Sequence, residues 1–442
     1  MSKKQVYLES LGCARNTVDS EIMLGRLKNA GWSATKDPAL AETIVINTCS
    51  FIEPAVNESI DTILELAGYK RSGACKRLIV VGCLPERYRE KIAKELPEID
   101  VFLGTGAFDQ VVEAVEGRLN RKKCLFPDPN FTNLLDSVET RLQSHPHMAY
   151  LKIAEGCSRR CTYCIIPNLR GKLRSRPMDT ILTEARRDVS SGVKELVLVA
   201  QDTTAYGNDL TPSQTIGRLL SELSALSEDI WIRVMYGHPE SIDDEFLKTA
   251  SGLSNICPYF DIPIQHVSSR ILKRMGRNYT EQDLYHLFDR IRDIVPGAVL
   301  RTTIITGFPG ETENDVEQLT KFMDTVKFDH LGVFIYSDSE DLPSHKLDRH
   351  VPGKTAKNRH DRIMSHQQAI SSENNRKHLN RIYTILVDEE IEKDVFAGRT
   401  IFQAPEVDGI TYIHSRVPLK TGSFIKAGIN DTLEYDLIGE PV

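Results

Sequence analysis

The chain has 442 residues, a composition typical of globular proteins and a formal charge of −7, from 55 Lys or Arg and 62 Asp or Glu. This length predicts about three domains, and the acidic balance disfavours a protein whose main task is to grip a nucleic acid. No stretch approaches about 18 consecutive apolar residues, and the N-terminus lacks the apolar core of a signal peptide. The nine cysteines suit metal ligation in a reducing compartment better than disulfides. The sequence therefore predicts a cytoplasmic protein with no membrane contact.

Three cysteines near the start of the chain lie at the ends of strand-like runs. Each follows a short apolar run and precedes a helix signal, such as an N-cap residue or a proline in a first turn. They are Cys13 after Val6 to Leu11, Cys49 after Ile44 to Asn47, and Cys83 after Leu78 to Gly82. Alternating strands and helices predict a parallel sheet, whose ligand crevice lies beyond the carboxyl ends of the strands. We therefore expect the three thiols to converge there.

Three converging thiols indicate a metal site, although free cysteines are often small buried hydrophobic residues. A glycine stands directly before two of them, in Gly12-Cys13 and Gly82-Cys83. Because glycine permits close approach of the backbone to a bulky group, this pattern favours a metal cluster. The cysteines without such a context are interpreted as structural: Cys75, Cys124 and Cys257.

A polar segment at 131–147 is expected to link the first domain to a second one. Beyond it, apolar runs of strand length alternate with helical stretches. The runs are Met148 to Ala154, Glu195 to Ala200, Ile230 to Tyr236, Tyr259 to Ile264, Ala298 to Ile305 and Leu331 to Tyr336. A closed eight-unit barrel takes about 250 residues, so this shorter region predicts an open (β/α)6 partial barrel. Its ligands are expected at the carboxyl ends of the strands.

A second group of cysteines, Cys157, Cys161 and Cys164, follows the first of these strands with C-x3-C-x2-C spacing. Four thiolates saturate a 4Fe-4S cluster, so three from one loop leave one iron open. The alternative is a structural zinc site, which needs a fourth ligand, but the next His downstream is His238 and no second C-x2-C pair follows. The loop resembles that of the radical S-adenosylmethionine (SAM) superfamily. That resemblance implies that SAM binds the open iron and is cleaved to a 5′-deoxyadenosyl radical.

Five further residues are candidates for binding SAM. Gln201 and Asp202 follow the second barrel strand, where they could meet the SAM ammonium group, although Asp202 could instead cap a helix. The superfamily resemblance places Tyr163 against the adenine, with a core role as the alternative. Gly307 and Pro309 belong to a turn suited to close backbone approach, or simply to a turn that ends a strand. The sequence identifies no catalytic acid or base.

Basic residues crowd the second cysteine group, with no acidic residue among them until Asp179. They could face the SAM carboxylate, an acidic electron donor or an acidic substrate segment, or they could form a solvated surface. They are Arg159, Arg160, Arg170, Lys172, Arg174 and Arg176.

After a polar helix expected from Lys354 to Leu379, short alternating runs predict a small antiparallel β-barrel. Its expected strands are Tyr383 to Val387, Val395 to Phe402, Tyr412 to His414, Phe424 to Ala427 and Leu433 to Leu437. From Arg376 to Val442 the chain carries eight Lys or Arg and eleven Asp or Glu, a net charge of −3. Such an acidic module is poorly suited to RNA phosphates and better suited to docking a basic protein.

Motifs along the whole chain resemble the methylthiotransferase family. They are Ser10 to Glu21, Asn47-Thr48-Cys49, Gly82 to Tyr88, Gly156 to Pro177, Ala200 to Thr204, Phe260 to His266 and Gly307 to Thr312. The resemblance implies an N-terminal methylthiotransferase domain (1–130), a linker (131–147), a radical SAM domain (148–375) and a C-terminal TRAM domain (376–442). It also implies two 4Fe-4S clusters, one on each cysteine group.

The segments Ser10 to Glu21 and Ala154 to Pro177 are most similar to the branch of this family that modifies a ribosomal protein. This similarity implies methylthiolation of the β-carbon of an aspartate in small-subunit ribosomal protein twelve. The cluster on Cys13, Cys49 and Cys83 would hold the sulfur, which one SAM methylates, while the other cluster cleaves a second SAM. The resemblance also implies an electron donor such as a flavodoxin.

Two other functions compete with this one. The branch that modifies transfer-RNA adenosine shares the chemistry, but the acidic C-terminal module disfavours an RNA substrate. A non-catalytic iron–sulfur protein or electron carrier would normally saturate all four irons of its cluster. One segment, Tyr336 to Pro343, departs from the glycine-containing form expected of the ribosomal-protein branch.

Overall fold

The computed structural model describes residues 4–119, 123–131 and 141–442. The first elements are β1 (Gln5–Ser10), α1 (Ala14–Asn29), β2 (Ser33–Ala34), β3 (Thr43–Thr48), α2 (Glu53–Ala67), α3 (Tyr69–Ser72), β4 (Arg77–Gly82), α4 (Cys83–Tyr88), α5 (Glu90–Glu95), β5 (Val101–Leu103), α6 (Val111–Val115) and β6 (Cys124–Leu125). The strands form one parallel sheet in the order β2-β1-β3-β4-β5-β6. Its central strands are almost completely buried, because helices cover both faces. The predicted N-terminal parallel α/β sheet is confirmed.

The second domain continues the alternation of strands and helices. Its elements are β7 (Met148–Lys152), β8 (Ala154–Glu155), α7 (Ile166–Arg170), β9 (Arg174–Ser175), α8 (Met178–Ser190), β10 (Glu195–Val199), α9 (Ile216–Ser224), β11 (Trp231–Val234), α10 (Asp244–Gly252), β12 (Tyr259–Asp261), α11 (Ser269–Arg274), α12 (Glu281–Ile294), β13 (Val299–Thr306), α13 (Glu313–Val326), β14 (His330–Ile335) and α14 (Gly353–Arg376). The amphipathic helices bury one apolar face each against the strands, which gives the domain its hydrophobic core.

The strands of the second domain form one curved parallel layer. One sheet has the order β11-β10-β7 and the other has the order β12-β13-β14. A bridge between Ile232 of β11 and Ile256 joins them, and the N–H of Cys257 donates to the oxygen of Ile232 at 2.8 Å. Within the described ranges β7 and β14 pair on one side only, so the layer stays open. The predicted (β/α)6 partial barrel is confirmed.

The C-terminal strands close into a small barrel in the order β15-β16-β17-β19-β18. They are β15 (Ile382–Glu392), β16 (Val395–Thr400), β17 (Thr411–His414), β18 (Phe424–Thr432) and β19 (Leu437–Pro441). The pairing is antiparallel except between β17 and β19. The sequence predicts a break at Asn430-Asp431 and a last strand from Leu433 to Leu437. Instead, β18 passes through Asn430-Asp431 with a bulge, so the turn and the last strand come later.

Helix α1 lies between the first two domains. Val18 and Ile22 belong to a hydrophobic cluster that also contains Tyr150 of β7 and Leu386 of β15. Since this cluster draws on all three parts of the chain, the domains pack against one another through a shared core.

The predicted linker at 131–147 falls partly on 132–140, outside the described residues. From Arg141 onward the chain is packed, because the buried Arg141 guanidinium donates from Nε to Glu21 of α1 at 2.6 Å and from Nη1 to Glu184 of α8 at 2.8 Å. The domain boundaries stay predictions. None of the helices in the described ranges has the length and apolar character needed to cross a bilayer.

Candidate active site

Both cysteine groups line a single cavity of about 510 Å³ between the first sheet and the partial barrel. This volume lies in the range of small-molecule sites. The thiols on the cavity wall are those of Cys13, Cys49, Cys83, Cys157, Cys161 and Cys164. The cysteines interpreted as structural do not line it: Cys75, Cys124 and Cys257. The structure therefore brings together two groups that lie far apart in the sequence, since the first ends at Cys83 and the second begins at Cys157.

Glycines let the N-terminal cysteine loops pack closely. Gly12 has a φ of +97°, and a Cβ there would lie 2.8 Å from the Cβ and 3.1 Å from the Sγ of Cys49. Gly82 has a φ of +100°, and a Cβ there would lie 2.4 Å from Oδ1 of Asn47. What approaches these glycines is thus the end of the neighbouring strand, and the backbone just before Cys13 packs directly on Cys49.

The C-x3-C-x2-C loop runs from β8 to α7 and is fixed by backbone hydrogen bonds. The N–H of Cys157 donates to the oxygen of Gly171 at 3.0 Å, and the N–H of Thr162 donates to the oxygen of Met275 at 3.0 Å. The loop therefore docks on the chain after α11 without using its thiol groups.

Positive charge surrounds the N-terminal thiols. Burial acts to raise the pKa of Cys13, but Arg15, Arg170 and nearby backbone N–H groups outweigh it, so this pKa is lowered from its ordinary value. Burial dominates at the other two thiols and raises the pKa of Cys49, and it raises the pKa of Cys83 to about 12 despite Arg170. Since thiolates are the metal-binding form, the arginines favour ligation.

Burial also governs the pKa of two thiols in the second group, those of Cys157 and Cys164. It raises the pKa of Cys157 and raises the pKa of Cys164 to about 12. Because metal ligands must be deprotonated, metal binding here would release protons.

Arg170 of α7 joins the two groups. Its Nη2 lies 3.6 Å from the Sγ of Cys83 and also donates to Oδ1 of Asn16. Its Nη1 donates to Asp19 at 2.7 Å and to Glu155 at 3.2 Å. The side chain is 4% exposed, so its charge acts almost entirely within the protein.

Lys152 completes this buried network under the cavity. Its Nζ donates to Asp19 and, at 2.9 Å, to Glu155, so two cations face two carboxylates. Burial acts to raise the pKa of Glu155, but Lys152 and Arg170 hold it well below its usual range. The other oxygen of Glu155 accepts from Nε2 of Gln201 at 2.6 Å. The network thus extends from the N-terminal cysteines to the end of β10.

Three of the five predicted SAM contacts, Tyr163, Gln201 and Asp202, line the cavity. The carboxylate of Asp202 accepts from Nε of Arg159 at 3.0 Å and from the backbone N–H at the end of the following turn at 3.2 Å. Asp202 therefore caps that turn, as the alternative interpretation expected. Its role toward SAM stays a prediction.

Gly307 and Pro309 are not among the residues that line this cavity. Gly307 has a φ of +76°, and a Cβ there would lie 2.5 Å from the Cβ of Ala356 in α14. The oxygen of Pro309 accepts from Nε of Arg274 at 3.0 Å. The backbone of this turn therefore lies close to α14.

Within the described part of the chain, three buried polar atoms of the cavity residues have no hydrogen-bond partner: Oε1 of Gln201, Nε2 of His238 and Nη1 of Arg277. Burial, with Arg277 and Arg159 nearby, lowers the pKa of His238 to about 2, so its ring is neutral. Because Nδ1 accepts from the N–H of Glu240 at 3.2 Å, Nε2 carries the proton. The wall thus offers one acceptor and two donors, which fits the ammonium, carboxylate and adenine groups of SAM.

The spacing of the thiols bears on which metal group they could hold. Among the described residues, no three His, Cys, Asp or Glu side chains come close enough to share one ion. A zinc ion draws its thiolates to about 2.3 Å, whereas the thiolates of a 4Fe-4S cluster bind different irons and lie farther apart. The six thiols on this wall belong to the residue type that binds iron–sulfur clusters.

Sequence reasoning missed several cavity residues. Arg15 lies inside a quoted motif, and its Nη1 donates to the oxygen of Ala200 at 2.8 Å while its guanidinium lies 4.7 Å from the ring of Tyr236. In the sequence, His238 is only a histidine too remote to complete a zinc site, and Arg277 lies outside the motifs. Tyr236 and His238 follow the end of β11, so a survey of polar residues just past each barrel strand would have found them.

The basic residues around the cysteine loop divide into different environments. Arg170 and Arg176 are buried in ion pairs with carboxylates of α1 and α8. Arg159 pairs with Asp202 and Glu240. Arg160 and Lys172 are exposed, and Arg159 and Arg174 are partly exposed, so the predicted basic patch is divided between buried ion pairs and the solvent-facing surface.

Three family models match the chain. They are described as "Uncharacterized protein family UPF0004" at residues 5–104, "Radical SAM superfamily" at 151–323 and "TRAM domain" at 381–442. The matches follow the three packed parts of the structure.

Similar proteins cover the chain almost completely. Relatives named "Ribosomal protein uS12 methylthiotransferase RimO" are 51% identical in Desulfosudis oleivorans, 47% in Clostridioides difficile and 44% in Geobacter sulfurreducens. Each alignment covers 99% of this chain and 98–99% of the relative. The resemblance drawn from the motifs is confirmed.

Solved structures support the fold. The radical SAM methyltransferase TsrM of Kitasatospora setae is 14% identical with a TM-score of 0.58, over 78% of this chain and 77% of TsrM. The cobalamin-dependent SAM radical enzyme OxsB is 13% identical with a TM-score of 0.52, over 78% of this chain and 55% of OxsB. With two cysteine groups on one cavity and full-length relatives of a single name, the chain belongs to the RimO family of radical SAM methylthiotransferases.

Proposed function

We propose that this protein is a radical SAM methylthiotransferase that replaces one β-carbon hydrogen of an aspartate in ribosomal protein uS12 by a methylthio group. The observation that carries the proposal is that both cysteine groups line one cavity. The names of the full-length relatives support the choice of substrate.

The reaction requires cofactors, because an sp³ C–H bond of this kind has no accessible pKa for ordinary acid–base residues. Cys13, Cys49 and Cys83 are proposed to hold one 4Fe-4S cluster, and the C-x3-C-x2-C loop a second. When bound, the two clusters and SAM supply a carbon radical and a methylthio sulfur. Three cysteines for each cluster leave one iron of each without a protein thiolate.

The residues of the cavity wall are proposed to bind and orient SAM. Because Oε1 of Gln201 and the ring and guanidinium nitrogens of His238 and Arg277 have no partner, we propose that Gln201 accepts from the ammonium group. His238 and Arg277 would donate to the carboxylate or the adenine. Tyr163 presents its ring to the same space, and Asp202 contributes by holding the turn after Gln201.

The turn with Gly307 and Pro309 is proposed to act indirectly on the SAM site. It carries Phe308, whose buried ring meets the ring of Tyr163 edge-on with 6.4 Å between centroids. Backbone packing of the turn against α14 would therefore hold Tyr163 in place.

The rim of the cavity suits a protein substrate. Phe51 is 43% exposed and Phe334 is 50% exposed, and both line the cavity. Exposed aromatic side chains at a site favour contact with a partner chain. The net charge of −3 from Arg376 to Val442 favours a basic protein over transfer RNA as the substrate.

The electron donor is proposed to be an acidic protein such as a flavodoxin. Arg160 and Lys172 are exposed and lie in the segment that carries the second cysteine group. They therefore offer positive charge near the cluster that would receive the electron. A ribosomal substrate and a soluble donor place the proposed reaction in the cytoplasm.

Anaerobic reconstitution tests the cofactor proposal. We expect about eight irons per chain, with Cys83→Ala and Cys157→Ala each retaining about four. A single cluster in the wild type would contradict it.

Mass spectrometry tests the substrate proposal. Incubation of reconstituted protein with SAM, a reductant and uS12 should add a methylthio group to one aspartate. If a strain that lacks this protein loses the methylthio group from transfer RNA and retains it on uS12, the substrate is wrong.

A further inference from the structure

The segment from Tyr336 to Ser344, which we call the strap, connects the two cysteine groups. It follows the carboxyl end of β14 and crosses to the first domain before the chain reaches α14. It contains the stretch that departs from the expected family pattern, and the reaction proposed above gives it no role.

On the first domain the strap binds Arg87. This residue lies in α4, the helix that begins at Cys83. Its Nε and Nη2 each donate to the carboxylate of Asp341 at 2.7 Å, and Nη2 also donates to Ser339 at 2.8 Å. Its Nη1 donates to the oxygen of Ser50, directly after the second cysteine of the N-terminal group. One guanidinium therefore ties the strap to two cysteine-bearing loops.

On the second domain the strap binds the C-x3-C-x2-C loop. The N–H of Ser344 donates at 2.9 Å to the oxygen of Thr162, which lies inside that loop. Leu342 is buried and packs against Cys83 and against Ile165, the residue just after the loop. The contacts of the strap thus fall beside the predicted ligands of both groups.

The Arg87–Asp341 ion pair is bidentate. Its two parallel N–H···O bonds fix the orientation of the carboxylate as well as its distance. The Arg87 side chain is 4% exposed and the Asp341 side chain is 39% exposed. The aspartate can therefore be changed without leaving an empty space in the interior.

We propose that the strap is a positioning element that sets the separation of the two cysteine groups, with Arg87 as its charged attachment to the first domain, beside a hydrogen bond that Ser337 accepts from the N–H of Glu53 at 3.0 Å. This inference rests on the proposed function, which needs both groups at a fixed separation. Misplacement of reacting groups by about 1 Å costs about 10²-fold in rate. A bridge that fixes the separation of the two loops would therefore preserve the rate of the transfer.

A spectroscopic experiment tests the strap without measuring turnover. Asp341→Asn removes the charge and one acceptor oxygen, and Arg87→Lys removes the two-pronged donor. In both reconstituted variants we expect unchanged iron content and an altered dipolar interaction between the two reduced clusters in electron paramagnetic resonance.

A second readout separates positioning from loss of structure. We expect the ratio of 5′-deoxyadenosine to methylthiolated uS12 to rise about tenfold in both variants. Formation of 5′-deoxyadenosine in the absence of uS12 should stay at the wild-type rate. A protein that had merely lost structure would lose both reactions together.

Glu373→Gln provides the matched control. It removes an exposed ion pair of similar length, in which Lys327 donates to Glu373 at 2.8 Å, away from both cysteine groups. Wild-type spectra and ratios in both strap variants would overturn the proposal. So would silent Asp341→Asn and Ser339→Ala variants beside an altered Arg87→Lys, because Arg87 would then act through Ser50 alone.

The spectrum also distinguishes this proposal from the proposed function. If wild-type protein fails to modify uS12, the function is wrong, and the dipolar interaction still decides whether the strap positions the groups. If Arg87→Lys loses iron, Asp341→Asn alone decides, because its carboxylate is exposed.

Discussion

Arg170 in the second domain donates a hydrogen bond to the Sγ of Cys83 in the first at 3.6 Å, across 87 positions of the sequence. The same guanidinium pairs with Asp19 and Glu155. Positive charge at the N-terminal cysteines thus comes from the helix that follows the other cysteine group. Packing of the two domains is therefore a condition for a complete N-terminal site.

Arg170→Met should destabilise the iron-free protein strongly. It would leave Asp19 and Glu155 with Lys152 as their shared cation in a buried site. Breaking such a pair costs about 3–5 kcal/mol, which urea denaturation of the iron-free protein measures. Arg170→Lys keeps the charge but lacks the planar fork, so we expect a smaller loss. Equal stability of Arg170→Met and wild type would contradict the buried network.

Gly12→Ala should remove the cluster proposed for the N-terminal cysteines. Its control is Gly31→Ala, because φ is +97° at Gly12 and +87° at Gly31, so both variants carry similar backbone strain of about 1–2 kcal/mol. Only at Gly12 would the new Cβ meet Cys49, at 2.8 Å, whereas nothing lies within 4 Å of a Cβ at Gly31.

Iron analysis after anaerobic reconstitution distinguishes the two glycine variants. We expect about four irons in Gly12→Ala and about eight in Gly31→Ala. The same iron content in both would show that close packing on Cys49 is not required.

Gln201→Met should weaken SAM binding by about tenfold or more. The substitution removes the unpartnered Oε1 acceptor, and a hydrogen bond to a charged group is worth about 1.5–3 kcal/mol. For Asp202→Asn we expect a smaller change, because the carboxylate already accepts from Arg159 and the following turn. Anaerobic titration calorimetry with reconstituted protein measures both affinities. A larger loss in Asp202→Asn would reverse the assignment.

His378 should make the protein less stable in mild acid. Burial, with Arg381 and Lys377 nearby, lowers its pKa to about 4 from an ordinary value of 6.5, and its ring stacks on Phe402 with 4.4 Å between centroids. Between these two pH values the unfolded chain binds a proton that the folded protein does not. Stability is therefore fully present above about pH 6.5 and falls as the pH drops toward 4.

His378→Asn tests this titration. The variant should lose about 1–2 kcal/mol less than wild type between pH 7 and pH 5, after allowance for partial exposure. Urea denaturation at the two pH values measures the difference. Parallel losses in both proteins would assign the acid sensitivity to other groups.

Local patterns determined much of the fold and identified the cysteines that line the cavity. Strand, cysteine and helix alternate around Cys13, Cys49 and Cys83, and parallel sheets direct such residues to one edge. The spacing of Cys157, Cys161 and Cys164 is likewise a short-range constraint of cluster binding. The sequence predicts the last strand too early, because a bulge at Asn430-Asp431 continues β18 and no local pattern separates a bulge from a turn there.

Only the tertiary structure decided how the two cysteine groups share one cavity. Which charge meets which thiol depends on the packing of whole domains, as Arg170 and Cys83 show. The same packing turned Gly307 toward α14, brought Arg277 to the cavity and attached Asp341 to Arg87. Periodicity and motif spacing act over a few residues, whereas these contacts join elements that are remote in the chain and become neighbours only when the shared core is buried.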